Sequence, residues 1–194
     1  LDSDDELIDV RLFQETDDLV LVTRKGMSIR FRGESVREIG RVARGVIGIR
    51  LMRGDAVVGV AVTNEEDNHL LLTATEKGFG KKTRAENYRV QSRGGKGILT
   101  IKITKKNGDV MTMKRVSNDD ELMLISSKGR VIRIGTRGIS TVSRYAQGIR
   151  LVNLDPEGEE RVVGLTVLRE QEDEILPEIL PEALPELGSE APLE

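Results

Sequence analysis

The stretch from Gln91 to Gly97, which reads Gln-Ser-Arg-Gly-Gly-Lys-Gly, contains the residue types best suited to binding phosphate. Its glycines let the backbone adopt positive φ angles and let other atoms approach it closely. Arg93 and Lys96 flank Gly94 and Gly95, so backbone N–H groups and positive charge lie together. This combination favours a loop that faces phosphate. The alternative is a glycine-rich turn that only connects two strands.

The loop does not fit a nucleoside-triphosphate site, because Gly97 follows Lys96 where that motif has Ser or Thr, and Val90 stands where its first Gly belongs. It resembles instead the signature box of the DNA gyrase A subunit's C-terminal domain, which reads Gln-cation-Arg-Gly-Gly-cation-Gly. Ser92 departs from that pattern, because the family usually has a second cation there. The resemblance implies contact with DNA that is bent around the domain. The implied contacts are Gln91, Arg93, Gly94, Gly95, Lys96 and Gly97.

The sequence contains internal repeats, and the loop lies within one of them. A Lys-Gly pair recurs at Lys25, Lys77 and Lys128, each time after an apolar run. An Arg-x-x-x-Gly-Ile pattern follows each pair in step, and a β-branched run closes each unit. Units of about 50 residues that repeat in this way are typical of propeller blades. The predicted repeats are residues 14–63, 64–117 and 118–168, with the box in the second.

Each repeat is predicted to form four short strands, because its apolar stretches are short, rich in Val and Ile, and separated by Gly, Asp and Asn. Glu76-Lys77-Gly78 is predicted to turn between the first two strands, and Asn107-Gly108 to form a type I′ hairpin between the last two. In the second repeat the predicted strands are residues 70–75, 78–84, 97–104 and 110–116.

The two ends of the chain differ from the repeats. Residues 6–12 are similar to the closing strand of a repeat, so residues 1–13 are predicted to close a preceding blade, with further repeats upstream in the natural protein. Residues 169–194 contain three Leu-Pro-Glu triplets and four of the five prolines, which predicts an acidic disordered tail. One hypothesis is that this tail competes with DNA for basic residues.

The predicted fold is therefore all-β, and the resemblance implies a β-pinwheel, a propeller-like arrangement in which neighbouring blades exchange strands. Three repeats would form an open arc of about three blades. The resemblance covers residues 5–168.

Further cations recur at the Lys-Gly turns, in the strands that follow them and in the box-like patterns of the first and third repeats. Because residues two apart in a strand share a face, cations on successive blade rims would form a stepped basic track for DNA. The alternative is that they only prevent edge-to-edge pairing of strands. The candidate DNA-binding residues of this set are Lys25, Arg30, Arg32, Arg44, Lys77, Lys81, Lys82, Arg84, Lys128, Arg130, Arg133, Arg137 and Arg144.

Composition supports a polyanion partner. The formal net charge is −3, yet residues 169–194 contain nine of the 33 acidic residues and only one of the 30 basic residues, so the repeats carry a net positive charge. The absence of cysteine excludes disulfides and thiolate metal sites and fits the cytoplasm. No apolar run approaches the roughly 20 residues that span a bilayer, so no membrane association is expected.

Catalysis is not expected in this chain. His69 is the only histidine, and it is predicted to flank a strand. The acidic groups at residues 17–18, 65–67 and 119–121 precede the first strand of each repeat, which favours solvated turns between blades over a metal site. Arg144 and Tyr145 form the Arg-Tyr pair that a strand-cleaving topoisomerase uses. They lie in a degenerate copy of the box, however, and in the resembled family the nucleophile belongs to another domain.

The resemblance implies that the chain wraps duplex DNA and so supports ATP-dependent negative supercoiling by the whole type II topoisomerase. The implied partners are double-stranded DNA and, in a heterotetramer, the gyrase B subunit together with the remainder of the gyrase A subunit. No cofactor is expected here, since ATP and Mg would bind elsewhere in that enzyme. Two alternatives stay open: the equivalent domain of topoisomerase IV, and a propeller-like protein-interaction scaffold that does not bind DNA.

Overall fold

The computed structural model describes residues 5–40, 44–64, 69–155 and 159–169, and within these ranges the regular structure is strands and three single-turn 3-10 helices. The all-β prediction is confirmed. The helices are Gly33–Ser35, Ala85–Asn87 and Thr136–Gly138. The strands are β1 Asp18–Thr23, β2 Met27–Arg32, β3 Val57–Thr63, β4 Leu70–Thr75, β5 Phe79–Arg84, β6 Ile98–Leu99, β7 Val110–Val116, β8 Glu121–Ser126, β9 Val131–Gly135, β10 Ile149–Arg150 and β11 Val162–Leu168.

Each repeat begins with an antiparallel hairpin: β1 with β2, β4 with β5, and β8 with β9. Gly26, Gly78 and Gly129 close these hairpins with φ angles of +84°, +75° and +76°. The amide of Gly78 donates to the carbonyl of Thr75 at 3.0 Å. The predicted turn at residues 76–78 is therefore confirmed, because a glycine lies where a side chain would be strained.

The β-branched run of each repeat forms the strand on the other side of the hairpin. β3 pairs with β1, β7 with β4, and β11 with β8, all antiparallel and each with one register shift. β7 lies against both β3 and β11, so the three sheets follow one another in chain order. Two of the predicted strands, residues 70–75 and 110–116, match β4 and β7 in both limits.

Neighbouring sheets exchange strands, as expected. The sheet orders are β3-β1-β2-β6, β10-β5-β4-β7 and β11-β8-β9, which we call blades 1, 2 and 3. β6 belongs to the second repeat yet pairs with β2, and β10 belongs to the third repeat yet pairs with β5. The prediction of a long strand at residues 97–104 is wrong, because only Ile98 and Leu99 join a ladder before Thr100 and Ile101 turn to donate to the carbonyl of Gly26.

The predicted type I′ hairpin at Asn107-Gly108 is also wrong. β6 and β7 do not pair with each other, and Asn107 lacks the positive φ that this turn requires at both central residues. Asn107 is instead buried, and its side-chain amide donates to the carbonyl of Lys102 at 2.9 Å while its oxygen accepts from the Thr104 amide at 2.7 Å. The Asn107 side chain thus stabilises the loop between β6 and β7 through hydrogen bonds to its backbone.

Residues 5–13 pair with none of the described strands, and the closing role of residues 1–13 in a preceding blade stays a prediction. Their backbone makes no ladder with any described strand, and Leu12 is 97% exposed. Asp9 anchors the segment through its carboxylate, 3.1 Å from Nζ of Lys114 on β7. The predicted tail lies outside the described residues beyond Arg169.

Among the described residues, two buried hydrophobic clusters run across the blade boundaries, and a third lies within the first repeat. Val20 and Val22 of blade 1 pack with Leu71 and Met113 of blade 2 in one buried cluster. Tyr88 completes this cluster, and its hydroxyl lies 2.7 Å from Oγ1 of Thr100. The boundary between the first two blades is therefore a packed interior that fixes the loop following Tyr88.

Candidate nucleic-acid interface

The loop Gln91–Gly97 lies on the boundary between blades 1 and 2. Val90, the residue before it, forms a parallel bridge with Arg30 of β2, and the amide of Gln91 donates to the carbonyl of Arg30 at 2.8 Å. At its other end the loop continues directly into β6, the strand donated to blade 1. Both ends are thus fixed by hydrogen bonds to the preceding blade.

Two of the loop glycines are required, Gly94 by its positive φ and Gly97 by both its positive φ and its packing. Gly94 has a φ of +77°, and its amide donates to the carbonyl of Gly48 at 2.7 Å. Gly97 has a φ of +74°, and a Cβ at that position would lie only 2.3 Å from the carbonyl oxygen of Ser28. The amides of Gln91 and Gly94 are therefore occupied within the protein. The amides of Gly95 and Lys96 donate to no acceptor in the part of the chain that the structure describes.

The two cations of the loop have different environments. The guanidinium of Arg93 folds back onto the first repeat and donates to the carbonyls of Ser35, at 3.1 Å, and Ile47, at 2.6 Å. Lys96 is exposed and has no ion-pair partner among the described residues. Arg93 therefore fixes the loop, while the side chain of Lys96 is exposed and the amides of Gly95 and Lys96 have no acceptor among the described residues.

Gln91 contributes an unusual buried group. Its side-chain Nε2 is buried and lacks a hydrogen-bond partner among the described residues. Its backbone amide, by contrast, is satisfied by Arg30. Its predicted role as a DNA contact is untested.

Arg30 does not lie on an exposed basic track, which corrects that prediction. It is only 6% exposed; its Nε donates to the carboxylate of Asp18 at 2.7 Å, and its NH1 donates to the carbonyl of Ala85 at 2.9 Å. Asp18 is itself fully buried, so the prediction of a solvated turn is wrong at this position. A buried carboxylate requires such a partner, because an unpaired buried charge is strongly destabilising.

Lys81 and Lys82 are also buried, so neither belongs to an exposed track. Nζ of Lys81 donates to the carbonyls of Ser143 and Arg144, both at 2.6 Å, and burial, with a contribution from the charge of Arg144, lowers the pKa of Lys81 to about 8. Nζ of Lys82 donates to the carbonyl of Thr136 at 2.9 Å, and burial also lowers the pKa of Lys82. Both lysines connect blade 2 to the third repeat.

Several other predicted cations are exposed but paired. Lys25 lies 2.8 Å from Asp109, and Lys128 lies 2.9 Å from Asp155. The remaining pairs are Arg32 with Asp18, Lys77 with the carbonyl of Lys105, Arg130 with Glu160, Arg133 with Glu121, and Arg137 with Asp119. The bond from Arg130 also holds the pKa of Glu160 down to about 2.

Three predicted residues remain. Arg44 and Arg84 are exposed. Arg144 donates from NH1 to the carbonyl of Leu99 at 2.6 Å and lies 5.1 Å from the centre of the Tyr145 ring. Arg144 therefore has a contact like that of Arg93, since each arginine binds a carbonyl of the preceding repeat.

A basic cluster that the sequence analysis missed surrounds Phe79. Nζ of Lys106 and the guanidinium of Arg150 lie 5.5 Å and 5.4 Å from the centre of the Phe79 ring, and Lys105 is exposed beside them. With Lys77 these residues line a cleft of about 440 Å³, and the acidic Asp155, Glu159 and Glu160 also line it. The Lys105-Lys106 doublet is the signal in the sequence, but the Asn-Gly pattern that follows it predicts only a turn.

Comparison with known proteins decides the family. The model of the DNA gyrase C-terminal domain, described as a beta-propeller, matches residues 17–64, 69–117 and 120–169, which is most of the chain. The chain belongs to this family.

Similar proteins agree with this gyrase C-terminal domain assignment. The DNA gyrase A subunit of Haloquadratum walsbyi is 44% identical over 155 residues, covering 80% of this chain and 18% of that protein. The DNA gyrase A subunit of Staphylococcus aureus is 41% identical over 170 residues, covering 88% of this chain and 19% of that protein. The chain therefore spans about a fifth of the length of the curated relatives it matches.

Solved structures show the same fold. A gyrase A C-terminal domain superimposes with a TM-score of 0.74 at 28% identity, covering 81% of this chain and 52% of that one. The C-terminal domain of a DNA topoisomerase IV superimposes with a TM-score of 0.78 at 26% identity, covering 86% of this chain and 51% of that one. The predicted β-pinwheel class and the predicted resemblance are both confirmed.

Other sites are not evident in the described ranges of this gyrase C-terminal domain. No group of three or more His, Cys, Asp or Glu side chains there is arranged to hold a metal ion. In the same ranges, no helix has the length and apolar character needed to cross a membrane.

Proposed function

We propose that this chain binds duplex DNA and bends it along its blades, as the C-terminal domain of a gyrase A subunit. Membership of the gyrase C-terminal domain family supports this assignment. The relatives at 41–44% identity are DNA gyrase A subunits, which favours gyrase over topoisomerase IV as the parent enzyme.

The observation that carries the proposal is the loop Gln91–Gly97. Its backbone is anchored to blade 1 through Gln91 and Gly94, while Lys96 is exposed beside two available amides. Amides and a cation held on a fixed backbone bind phosphate without a large loss of conformational entropy. The loop thus offers one fixed phosphate contact at a blade boundary.

Bending requires contacts beyond this loop. Smoothly bending a site of 20–30 base pairs costs on the order of 1–6 kcal/mol, so several phosphate contacts must share that energy. The basic cluster of Lys105, Lys106 and Arg150 is exposed and supplies further contacts in this proposal. The buried Arg30, Lys81 and Lys82 contribute to the blade boundaries instead.

In the whole enzyme, the bent DNA would be delivered to strand passage with one handedness, which supports ATP-dependent negative supercoiling. ATP hydrolysis and DNA cleavage belong to other parts of that enzyme in this proposal. The proposed partners are the gyrase B subunit together with the remainder of the A subunit, while the proposed location is the cytoplasm.

The test compares short and long duplexes across a salt series, using residues 1–194 and the variant Lys96→Ala. We expect tighter binding of the long duplex, a steep fall in affinity with salt, and a reduced long-duplex advantage in the variant. Lys128→Ala is the matched control, because Lys128 is an exposed lysine already paired with Asp155. Equal affinity for both lengths would contradict bending, and no binding at low salt would favour the protein-interaction scaffold.

A further inference from the structure

Residues 142–148, which we call the third-repeat loop, occupy the same place at the boundary between blades 2 and 3 that Gln91–Gly97 occupies at the first boundary. Thr141, the residue before it, forms a parallel bridge with Lys82 of β5, and the amide that begins the loop donates to the carbonyl of Lys82 at 2.8 Å. Gly148 ends the loop with a φ of +82°, and a Cβ at that position would lie 2.6 Å from a carbonyl oxygen of β5. Both ends of the third-repeat loop are therefore fixed to blade 2.

The middle of the third-repeat loop is fixed as well. Nζ of Lys81 donates from the blade interior to the carbonyls of Ser143 and Arg144, both at 2.6 Å. The amide of Ala146 donates to the carbonyl of Ser143 at 3.2 Å. The backbone on both sides of Tyr145 is therefore held in place by hydrogen bonds.

The third-repeat loop presents the Tyr145 side chain to solvent. Tyr145 is 64% exposed, whereas Tyr88, the other tyrosine of the chain, has no exposed surface. The guanidinium of Arg144 lies 5.1 Å from the centre of the Tyr145 ring, a cation–π contact that restricts the orientation of the ring. A restrained ring on a fixed backbone loses little conformational entropy when it binds another molecule.

The third-repeat loop is hydrogen-bonded to the segments that carry both groups of cations assigned to DNA in the proposed function. On one side, the guanidinium of Arg144 donates to a carbonyl of β6 at 2.6 Å, and β6 directly follows the Gln91–Gly97 loop. On the other side, the carbonyl of Gln147 accepts from Nδ2 of Asn107 at 3.3 Å, directly after the two lysines of the basic cluster. Tyr145 therefore lies on a loop that connects the two basic sites.

The third-repeat loop offers different groups from the Gln91–Gly97 loop. Tyr145 stands at the position of Gly94, and Gln147 stands at the position of Lys96. Gly94 has a positive φ, whereas the φ of Tyr145 is not positive, so a side chain is accommodated there without strain. The third-repeat loop therefore presents a neutral aromatic side chain where the other loop presents a cation and backbone amides.

We infer that Tyr145 contacts the sugar–phosphate backbone of duplex DNA between the Gln91–Gly97 loop and the basic cluster, with its ring against a deoxyribose and its hydroxyl donating to a phosphate oxygen. This inference rests on the proposed DNA-binding function. Tyrosine is among the side chains that contact phosphate and sugar in protein–DNA complexes, and such contacts carry no sequence information. A neutral contact of this kind adds to the several contacts that must share the energy of bending.

The affinity of residues 1–194 for a long duplex, measured by fluorescence anisotropy across a salt series, tests the contact. Tyr145→Ala should weaken binding about five- to tenfold at every salt concentration. The slope of log affinity against log salt should not change, because a neutral side chain releases no counterions, whereas Lys96→Ala should reduce that slope by about 0.9. Tyr145→Phe, which retains the ring and removes the hydroxyl, should show a smaller loss of affinity than Tyr145→Ala.

Val163→Ala is the matched control, because Val163 is 58% exposed on β11 and lies outside the loops at the blade boundaries. It should bind the duplex like the native chain. Native affinity in Tyr145→Ala would overturn the inference and leave the proposed function intact, whereas a native chain that binds no duplex at low salt would overturn both. A loss of affinity with a reduced salt slope in Tyr145→Ala would also overturn the inference, because the substitution would then act by displacing cations.

Chemical protection of the native chain supplies a measurement that needs no variant. Tetranitromethane nitrates exposed tyrosine rings, so Tyr145 should react and the buried Tyr88 should not. Saturating duplex DNA should slow the nitration of Tyr145 severalfold, as measured by mass spectrometry of the peptide that contains it. Nitration of Tyr145 at the same rate with and without bound DNA would overturn the inference and favour a protein partner for the exposed ring.

Discussion

Arg30 donates from NH1 to the carbonyl of Ala85 at 2.9 Å, across the boundary between the first two blades. The same guanidinium pairs with the buried carboxylate of Asp18. A single side chain therefore satisfies a buried charge within blade 1 and a backbone group of the following repeat. A cation that sequence patterns assign to DNA is thus part of the protein interior.

Arg30→Met is expected to destabilise the protein by about 3–5 kcal/mol, because it leaves the Asp18 carboxylate buried with much weaker compensation. Urea unfolding followed by circular dichroism measures this change. Arg137→Met is the matched control: the Arg137 side chain is 82% exposed and paired with Asp119, so its loss should cost no more than about 1 kcal/mol. Equal effects of the two substitutions would contradict the buried role of Arg30.

Gly97→Ala should be far more destabilising than Gly54→Ala. The two glycines share a φ of +74°, so the conformational strain of adding a side chain is the same. Only at Gly97 would the new Cβ meet backbone, 2.3 Å from the carbonyl oxygen of Ser28; Gly54 has nothing within 4 Å. We expect about 1 kcal/mol for Gly54→Ala and at least about 2 kcal/mol more for Gly97→Ala, measured as free energies of unfolding. If the two free energies of unfolding differ by less than about 2 kcal/mol, the backbone around Ser28 must shift to accommodate the new side chain.

Lys81 should make stability depend on pH in the alkaline range. Its pKa is about 8 in the folded protein against an ordinary value of 10.5, so between these values the unfolded chain binds more protons. The free energy of unfolding should therefore rise with pH across this window, by up to about 3 kcal/mol in total, and should not vary with pH through this group below the window. Lys81→Met should remove the rise, whereas Lys96→Met, at an exposed lysine, should preserve it. Parallel profiles for all three proteins would contradict the assignment.

Lys105→Ala/Lys106→Ala should weaken DNA binding uniformly across sequences and reduce the slope of log affinity against log salt by about 2, because each phosphate contact contributes about 0.9. Filter binding or fluorescence anisotropy across a salt series measures the slope. A Lys25→Ala/Lys128→Ala double variant is the control, because both of its lysines are already paired with carboxylates. An unchanged slope in Lys105→Ala/Lys106→Ala would remove the Phe79 cluster from the interface.

The hairpins were predictable because their signals are local. Apolar runs that end at Lys-Gly placed β4 within its exact limits, and Gly78 has the positive φ that the turn requires. Spacing alone also revealed three similar units. These features depend on residues that are close together in the chain.

The environments of the cations were not predictable, because they depend on distant residues. Lys82 binds the carbonyl of Thr136, 54 residues away, and Arg93 binds that of Ser35, 58 residues away. Likewise, Asn107-Gly108 matches a hairpin turn locally, but the strand before it pairs with the preceding repeat. Because neighbouring blades exchange strands, two strands that are consecutive in the sequence do not have to pair with each other.

Strand exchange also constrains the order in which the chain becomes structured during synthesis. β2 emerges from the ribosome long before β6, so the first sheet retains an open edge until Leu99 has been translated. The second sheet waits in the same way for Arg150. Each of these two sheets therefore gains its last strand only when part of the following repeat has been translated. A nascent chain that stalls between Arg84 and Ile149 would expose the unpaired edge of β5, at which another chain could add as a strand and aggregate.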